Sequence, residues 1–286
     1  MSSVAALALA RTFLFVPADR PERHARALAS GAGAVIVDLE DAVAPEHKAA
    51  ARQQLARSHA ALSAGECGRL FVRVNTCGTA WHEEDRAFVA QLSRQGLAGV
   101  VLPKAERAED LAALAEAIGP QGMLVPLIES AAGLAALDAL ACAPQVLRLA
   151  FGHLDFQADL GLACEADEAE LVPVRLALVL ASRRAGLAAP IDGVTPDWRD
   201  VERLQHDTAR ARRGGFGAKL CIHPEQVAPV HAALGPSTAQ VAWAHRVNDA
   251  MQSAGGGVIC LDGRMVDAPV LRLAQRLLAL EAQGAA

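Results

Sequence analysis

Short, nearly unbroken apolar runs recur along the chain, separated by longer stretches in which apolar residues return every three or four positions. The runs are 12–16, 34–38, 70–74, 98–102, 123–128, 146–151, 187–192 and 218–222. A strand with one face in water alternates apolar and polar residues. A run that is apolar at almost every position is a strand covered on both faces, as in a parallel sheet flanked by helices. The intervening stretches carry helical spacing, for example Leu111, Leu114, Ala115 and Ile118, or Val174, Leu178 and Ala181. Eight strand–helix units in succession predict an α/β chain closed into a (β/α)₈ TIM barrel, with an open doubly wound sheet as the rival. Beyond residue 236 the pattern stops. Residues 237–286 predict a helix (237–253), a Gly-rich turn at Gly255, Gly256 and Gly257, a short hairpin through Arg264 and a last helix (269–282). The expected division is therefore a 1–236 barrel and a 237–286 helical and hairpin extension that caps the barrel or contacts a neighbouring subunit.

Composition narrows the class. The chain has 286 residues, 52% hydrophobic and 21% charged, enough to fill one barrel core. Aromatics are only 3%, with no Tyr, so base stacking has little to work with, and a net charge of −5 argues against a phosphate-backbone partner. No apolar run reaches transmembrane length. The N-terminus, MSSVAALALA, has no basic residue before its apolar stretch and reads as a tail, not a signal. Cysteines at 67, 77, 142, 164, 221 and 260 form no CxxC pair. That predicts reduced, mostly buried thiols in a cytoplasmic protein, not a zinc cluster or a disulfide framework.

In a barrel of this kind chemistry sits where strands end. Asp38, Glu40 and Asp41 end the second run; Arg73 and Asn75 the third; Lys104 the fourth; Glu129 and Ser130 the fifth; Gly152 and Asp155 the sixth; Asp192 the seventh; His223 the eighth. The opposite ends carry no such set. Singly, each has a structural reading: Asp38 or Asp41 as a helix N-cap, Arg73 as a structural partner of Asp38, His223 beside Pro224 as a loop-fixing group. Together they predict one shared site. Carboxylates outnumber cations there and no Cys or His pair accompanies them, which suits Mg²⁺ or Mn²⁺. Mg²⁺ takes one or two protein carboxylates, and Glu129 and Asp155 on adjacent strands fit that habit. Arg73 offers a planar fork for a substrate carboxylate. Lys104, at a loop mouth, is not placed as a Schiff base, and Gly214, Gly215 and Gly217 make only a weak phosphate-loop signal.

The stretches FVPADRPER (15–23), VIVDLEDAV (35–43), FVRVN (71–75), VVLPKAE (100–106), PLIES (126–130), FGHLD (151–155), APIDGV (189–194), KLCIHPEQV (219–227) and DGRMVDAP (262–269) resemble the citrate lyase beta subunit and malyl-CoA lyase group of the Mg²⁺-dependent aldolase/citrate-lyase family. They span almost the whole chain in the family's order, and the combination is specific where any one motif is weak. The resemblance implies a homotrimer or dimer of trimers that cleaves or forms a 3-hydroxyacyl-CoA, such as malyl-, citramalyl- or citryl-CoA, with an acyl-CoA and a 2-keto acid as partners. It implies Glu129 and Asp155 as metal ligands, Arg73 with Glu129 as the substrate-binding pair, and Glu40 and Asp41 as partners of metal-bound waters, with Asp38 behind them. Asp41 thereby joins Arg73 in the catalytic set. Asp267 is implied as a catalytic acid/base supplied from the tail of an adjacent subunit; by itself it reads as the N-cap of the last helix, since Pro269 follows. Ala218 stands before Lys219 where the family often has Gly, which bears on how a thioester is held. The keto acid stays open, because oxaloacetate, glyoxylate and pyruvate present the same carboxylate–carbonyl pair. The readings kept beside this one are a coenzyme-free, pyruvate-type class II aldolase, thioester hydrolysis after condensation, and a non-catalytic subunit of a lyase complex. No carrier attachment motif is present, so free coenzyme A is expected over an acyl-carrier protein.

Overall fold

A computed structural model describes residues 3–255 and 257–284. Eight parallel strands close in sequence order: β1 Thr12–Pro17, β2 Ala34–Asp38, β3 Leu70–Arg73, β4 Gly99–Leu102, β5 Met123–Ile128, β6 Ala150–Phe151, β7 Ile191–Asp192 and β8 Ala218–Cys221, with β8 pairing back onto β1. The barrel is closed, as the eight-fold pattern predicts. β6 and β7 are shorter than their apolar runs. Pro190 has no N–H to give at the start of β7, and of the earlier part of the sixth run only Val146 bridges back to Leu124.

Inside the barrel, side chains follow the strand period of two. Phe13, Ile36, Phe71, Leu127 and Ala150 belong to one buried cluster. The rings of Phe13 and Phe71 meet edge to face with centroids 5.8 Å apart. Small residues make room for them, and at Gly99 the room is absolute: a Cβ there would collide with the Met123 carbonyl and the Phe71 ring. Two residues further along each strand, the same inward face reaches Asp38 after Ile36, Arg73 after Phe71, Glu129 after Leu127 and Gly152 after Ala150. The candidate chemistry is thus the uppermost layer of the core pattern.

The N-terminal segment is not a loose tail. Ser3–Ala8 is helical, and Leu7 and Ala10 join the barrel cluster. Arg148, fully buried two residues before Ala150, holds them. Its Nη1 donates to the Ala10 carbonyl at 2.6 Å and the Leu7 carbonyl at 3.5 Å, and its Nε to the Ala189 carbonyl at 2.7 Å. Among the described residues no carboxylate pairs with it, and burial pushes its pKa down to about 9. Carbonyl oxygens and the Phe13 ring, 5.5 Å from the guanidinium carbon, take the place of a counter-charge.

The chain divides into two compact units, Met1–Val230 and His231–Ala286. In the second, the helices Thr238–Ser253 and Ala268–Gly284 share a core that includes Val247, Met251, Val266 and Leu277. Its hairpin, β9 Ile259–Leu261 with β10 Arg264–Val266, turns through Asp262 (φ 53°) and Gly263 (φ 74°), the left-handed pair that a two-residue hairpin requires. Gly256 of the Gly-rich turn lies outside the described residues. The expectation of mostly buried thiols is corrected: Cys67 and Cys221 are buried, Cys77 and Cys164 half-buried, Cys142 and Cys260 exposed, and all six are free. Cys142 ends a surface helix and Cys260 faces outward on the hairpin. Among the described residues no helix is long and apolar enough to cross a membrane.

The packing at Gly99 generates a contrast. Gly99→Ala is expected to cost about 1–3 kcal/mol by overpacking against backbone. Gly65→Ala, with open space around its Cβ and negative φ, is expected to be neutral or stabilising by up to about 1 kcal/mol. Urea unfolding midpoints measure both.

Candidate active site

A cavity of 380 Å³ lies at the C-terminal ends of the strands, lined on its polar side by Asp38, Asp41, Arg73, Glu129, His153 and Asp155. Register brings the first pair together, because Asp38 and Arg73 are direct partners across β2 and β3. Arg73 donates from Nε to Asp38 Oδ1 at 2.7 Å and from Nη2 to Asp38 Oδ2 at 2.6 Å. The same carboxylate accepts the N–H of Glu40 at 2.9 Å and of Ala42 at 3.1 Å. Asp38 is therefore both the structural partner of Arg73 and the cap of the acidic turn that follows it. Nη1 of Arg73 lies 2.9 Å from Glu40 Oε2 and 3.4 Å from Asp41 Oδ2. Burial alone would lower the pKa of Arg73, but Asp38, Glu40 and Asp41 outweigh it and hold the guanidinium charged.

The acidic turn is fixed from below. Lys48, itself buried, donates to the carbonyls of Leu39 and Glu40, both at 2.8 Å. Asn75 donates to the Leu39 carbonyl at 3.1 Å and is held through its own N–H by Asp85 at 2.8 Å. Burial pushes Glu40 up to about pKa 7, against the pull of Arg73 and of the Thr76 hydroxyl, which donates to it at 2.7 Å. Asp41 is different, with its side chain 71% exposed.

Glu129 stands at the end of β5, and its Oε1 accepts the Lys104 N–H at 2.7 Å. Lys104 thus contributes backbone, in a left-handed conformation (φ 42°), while its side chain is exposed. Burial pushes Glu129 up to about pKa 8. The Lys104 N–H and Arg73 oppose the shift, and Glu40 and Asp155 add to it. Gly152 is required beside it, since a Cβ there would run into the Glu129 carboxylate. Asp155 lies in the first turn of the helix His153–Leu160, where the helix dipole favours a negative charge, and is exposed to the cavity mouth.

The sequence profile of the HpcH/HpaI aldolase/citrate lyase family matches residues 11–224, which include every residue of this cavity. The chain belongs to that family. It is 35% identical over 286 residues to the citrate lyase subunit beta-like protein of Deinococcus radiodurans, covering 96% of this chain and 98% of that one. It is 32% identical over 262 residues to the (3S)-malyl-CoA thioesterase of Cereibacter sphaeroides, covering 90% and 89%. Among solved structures, protein CitE from Mycobacterium tuberculosis, in complex with magnesium, acetoacetate and coenzyme A, aligns with a TM-score of 0.82 at 37% identity, covering 96% and 99%.

Several polar strand ends of this HpcH/HpaI family member do not line the cavity. Ser130 caps the helix Ala131–Ala135 and donates to Glu106 at 2.6 Å. Asp192 faces the helix layer, where Arg175 donates to it at 3.0 Å. His223 accepts the Glu225 N–H at 3.3 Å and stacks on Trp198 with centroids 3.9 Å apart, the loop-fixing role. Asp267 belongs to the second unit, where its Oδ1 accepts the Val270 N–H at 3.2 Å as an N-cap. One lining residue escaped sequence reasoning. His153 is 3% exposed, with Nε2 3.6 Å from Glu168. Glu168 is itself buried, in a left-handed conformation (φ 52°), among Arg175, Arg203 and Arg210. The signal available was the histidine inside FGHLD, two positions before the carboxylate.

The two aspartates of the acidic turn are expected to differ sharply. Asp38→Ala breaks a buried, hydrogen-bonded ion pair and should cost about 3–5 kcal/mol. Asp41→Ala removes an exposed one and should cost under about 1 kcal/mol. Chemical unfolding of the two variants reads the difference.

Proposed function

We propose that this chain is a magnesium-dependent carbon–carbon lyase. It cleaves a 3-hydroxyacyl-CoA such as malyl-, citramalyl- or citryl-CoA into an acyl-CoA and a 2-keto acid, or joins them in reverse. We infer a stand-alone cytoplasmic enzyme that takes free coenzyme A thioesters and works as a homotrimer or dimer of trimers. The observation that carries the reading is a single cavity in which two carboxylates, Glu129 and Asp155, face the same space as the Arg73 guanidinium.

The residues fit a divalent cation. The donors are carboxylate oxygens, and burial, with Glu40 and Asp155 adding to it, makes Glu129 keep its proton to about pH 8, a deficit that a cation relieves. Among the described residues no three His, Cys, Asp or Glu side chains gather as a ligand set. Two carboxylates with positions left for water and substrate is the habit of Mg²⁺. When bound, the ion supplies charge stabilisation to the oxygens that become negative as the carbon–carbon bond breaks. The chain's own residues do the rest. Glu129 and Asp155 hold the ion. Asp38 aims Arg73, and Glu40 and Asp41, 2.9 and 3.4 Å from its Nη1, would partner waters on the ion. Arg73 then faces the developing oxygen charge. Asp267, supplied by a second copy, removes the hydroxyl proton. The electron pair of the breaking bond passes to the thioester as its enolate, which is protonated on carbon and released as the acyl-CoA.

A second reading has its own support in the relative named (3S)-malyl-CoA thioesterase. In that case hydrolysis releases free thiol, which a thiol reagent detects separately from keto acid. In the coenzyme-free aldolase alternative, none of the three thioesters yields keto acid.

Incubation of malyl-, citramalyl- and citryl-CoA with the protein and Mg²⁺ is expected to yield a keto acid from at least one. Glu129→Ala should lower that turnover at least about a thousandfold, and Asp41→Asn about 10–100-fold; full metal-dependent turnover by Glu129→Ala would overturn the assignment. Mixing inactive Glu129→Ala with inactive Asp267→Asn should restore turnover if the acid/base crosses between subunits.

The raised pKa of Glu129 gives a second test. The metal binds the carboxylate, so below about pH 8 it must displace a proton. Affinity for Mg²⁺ should fall about tenfold per pH unit below that point and level off above it. Titration calorimetry in buffers of different ionisation enthalpy should find about one proton released near pH 7, and Glu129→Gln should release none.

A further inference from the structure

A buried ion network lies behind one wall of the cavity. Glu168 accepts Arg175 Nη2 at 2.5 Å and Arg210 Nη2 at 2.9 Å, and its other oxygen accepts Arg203 Nη2 at 3.4 Å. Arg175 also reaches the other way, its Nε donating to Asp192 Oδ1 at 3.0 Å. His153 Nε2 lies 3.6 Å from Glu168 Oε1, and of these residues His153 alone lines the cavity. Such a network is a poor source of stability, because desolvation offsets the attraction. It also keeps Glu168 at φ 52°, a left-handed conformation that a residue with a Cβ adopts only at a cost. Strain accepted among buried charges points to a geometric task.

What the network encloses is the His153 ring. On one side, a Cβ on Gly193 would fall 2.1 Å from His153 Nδ1, so the ring fills the space that a side chain there would need. On the other side stands the Glu168 carboxylate. The two walls of this slot are tied together, because Arg175 bridges Glu168 to Asp192, the residue before Gly193, and Lys219 grips the Gly193 carbonyl from β8 at 2.6 Å. His153 opens the helix His153–Leu160, and no side chain caps that helix at Gly152. Its buried side chains are His153 and Phe156. Phe156 meets Phe151 edge to face at 5.6 Å, but an apolar contact is non-directional and leaves rotation loosely set. Asp159 holds the far end through the Ala131 N–H at 2.8 Å. The first turn is left to His153, and Asp155 stands in that turn.

Resting on the lyase reading above, we propose that His153 is a positioning residue for the cation: its ring, locked between the Gly193 backbone and the Glu168 carboxylate, sets the rotation of the first helical turn and so aims Asp155 into the space it shares with Glu129. In this role His153 acts through Asp155 and not by contact with the ion.

The affinity of the full chain for Mg²⁺ alone, read by titration calorimetry at one fixed pH, tests the assignment. His153→Ala empties the slot and should weaken Mg²⁺ binding about 10–100-fold, the usual effect of a residue that orients a ligand from behind. Gly193→Ala drives a methyl group into the ring and should weaken binding likewise. His153→Gln, whose amide reaches the position of Nε2, should recover most of the loss seen in His153→Ala. In Asp155→Asn, which keeps one oxygen for the ion, adding His153→Ala should weaken binding no further, because both effects run through one side chain. Thermal melts establish that each variant is folded at the titration temperature. His153→Ala that binds Mg²⁺ as tightly as the unaltered protein, or that weakens binding just as much in the Asp155→Asn background, overturns the positioning role. Asp155→Asn that binds as tightly as the unaltered protein overturns instead the metal site on which the lyase reading stands.

Discussion

The pairing of Asp38 with Arg73 is the constraint on which the mouth of this barrel depends. The two are register partners on neighbouring strands, nearly sealed from water, and joined by two parallel hydrogen bonds. A buried guanidinium–carboxylate pair is favourable only where its geometry is good and the carboxylate's remaining lone pairs are occupied. Asp38 meets both conditions, since its oxygens also take the N–H groups of residues 40 and 42. The pair therefore sets three things at once: the direction of the Arg73 fork, the path of the acidic turn, and the position of Glu40 against the guanidinium. Lys48 and Asn75 add a second grip on the same turn from its carbonyl side.

Opposite this saturated pair stands an unsaturated one. Glu129 and Asp155 lack a cation of their own, and the environment of Glu129 holds its proton well past the usual carboxylate range. One wall of the cavity thus has a cation within the chain, and the other takes its cation from outside. The asymmetry separates the orienting function from the ion-holding function, and Gly152, which has no side chain to collide with the Glu129 carboxylate, keeps the second wall open.

Much of this was legible in the sequence because both the core and the site obey one period. Alternation by two carries each strand from Ile36 to Asp38, from Phe71 to Arg73 and from Leu127 to Glu129, so the polar residues that break the apolar runs mark the barrel mouth. The rule failed where the polar residue falls on the other face. Asp192 is a strand end like Asp38, but it lies one step out of phase and serves the helix layer through Arg175. It failed again for His153, whose place depends on a turn and a helix start and not on strand alternation. The N-terminal segment was misread as a tail because its partner, Arg148, is a single charge in an apolar run, and no local pattern says that it looks down the barrel to carbonyls 138 residues earlier in the chain.

That last contact sets an order of assembly. Arg148 joins Ala10 on one side and Ala189 on the other, so the floor of the barrel closes only after two thirds of the chain has been laid down. Bonds of such long sequence separation form late, because loop-closure entropy must first be overcome. The opening residues must wait, helical or not, until strands six and seven arrive, and then serve as the bolt that shuts the cylinder from beneath. Because carbonyls and not carboxylates hold that bolt, acid that protonates the rim leaves the base locked.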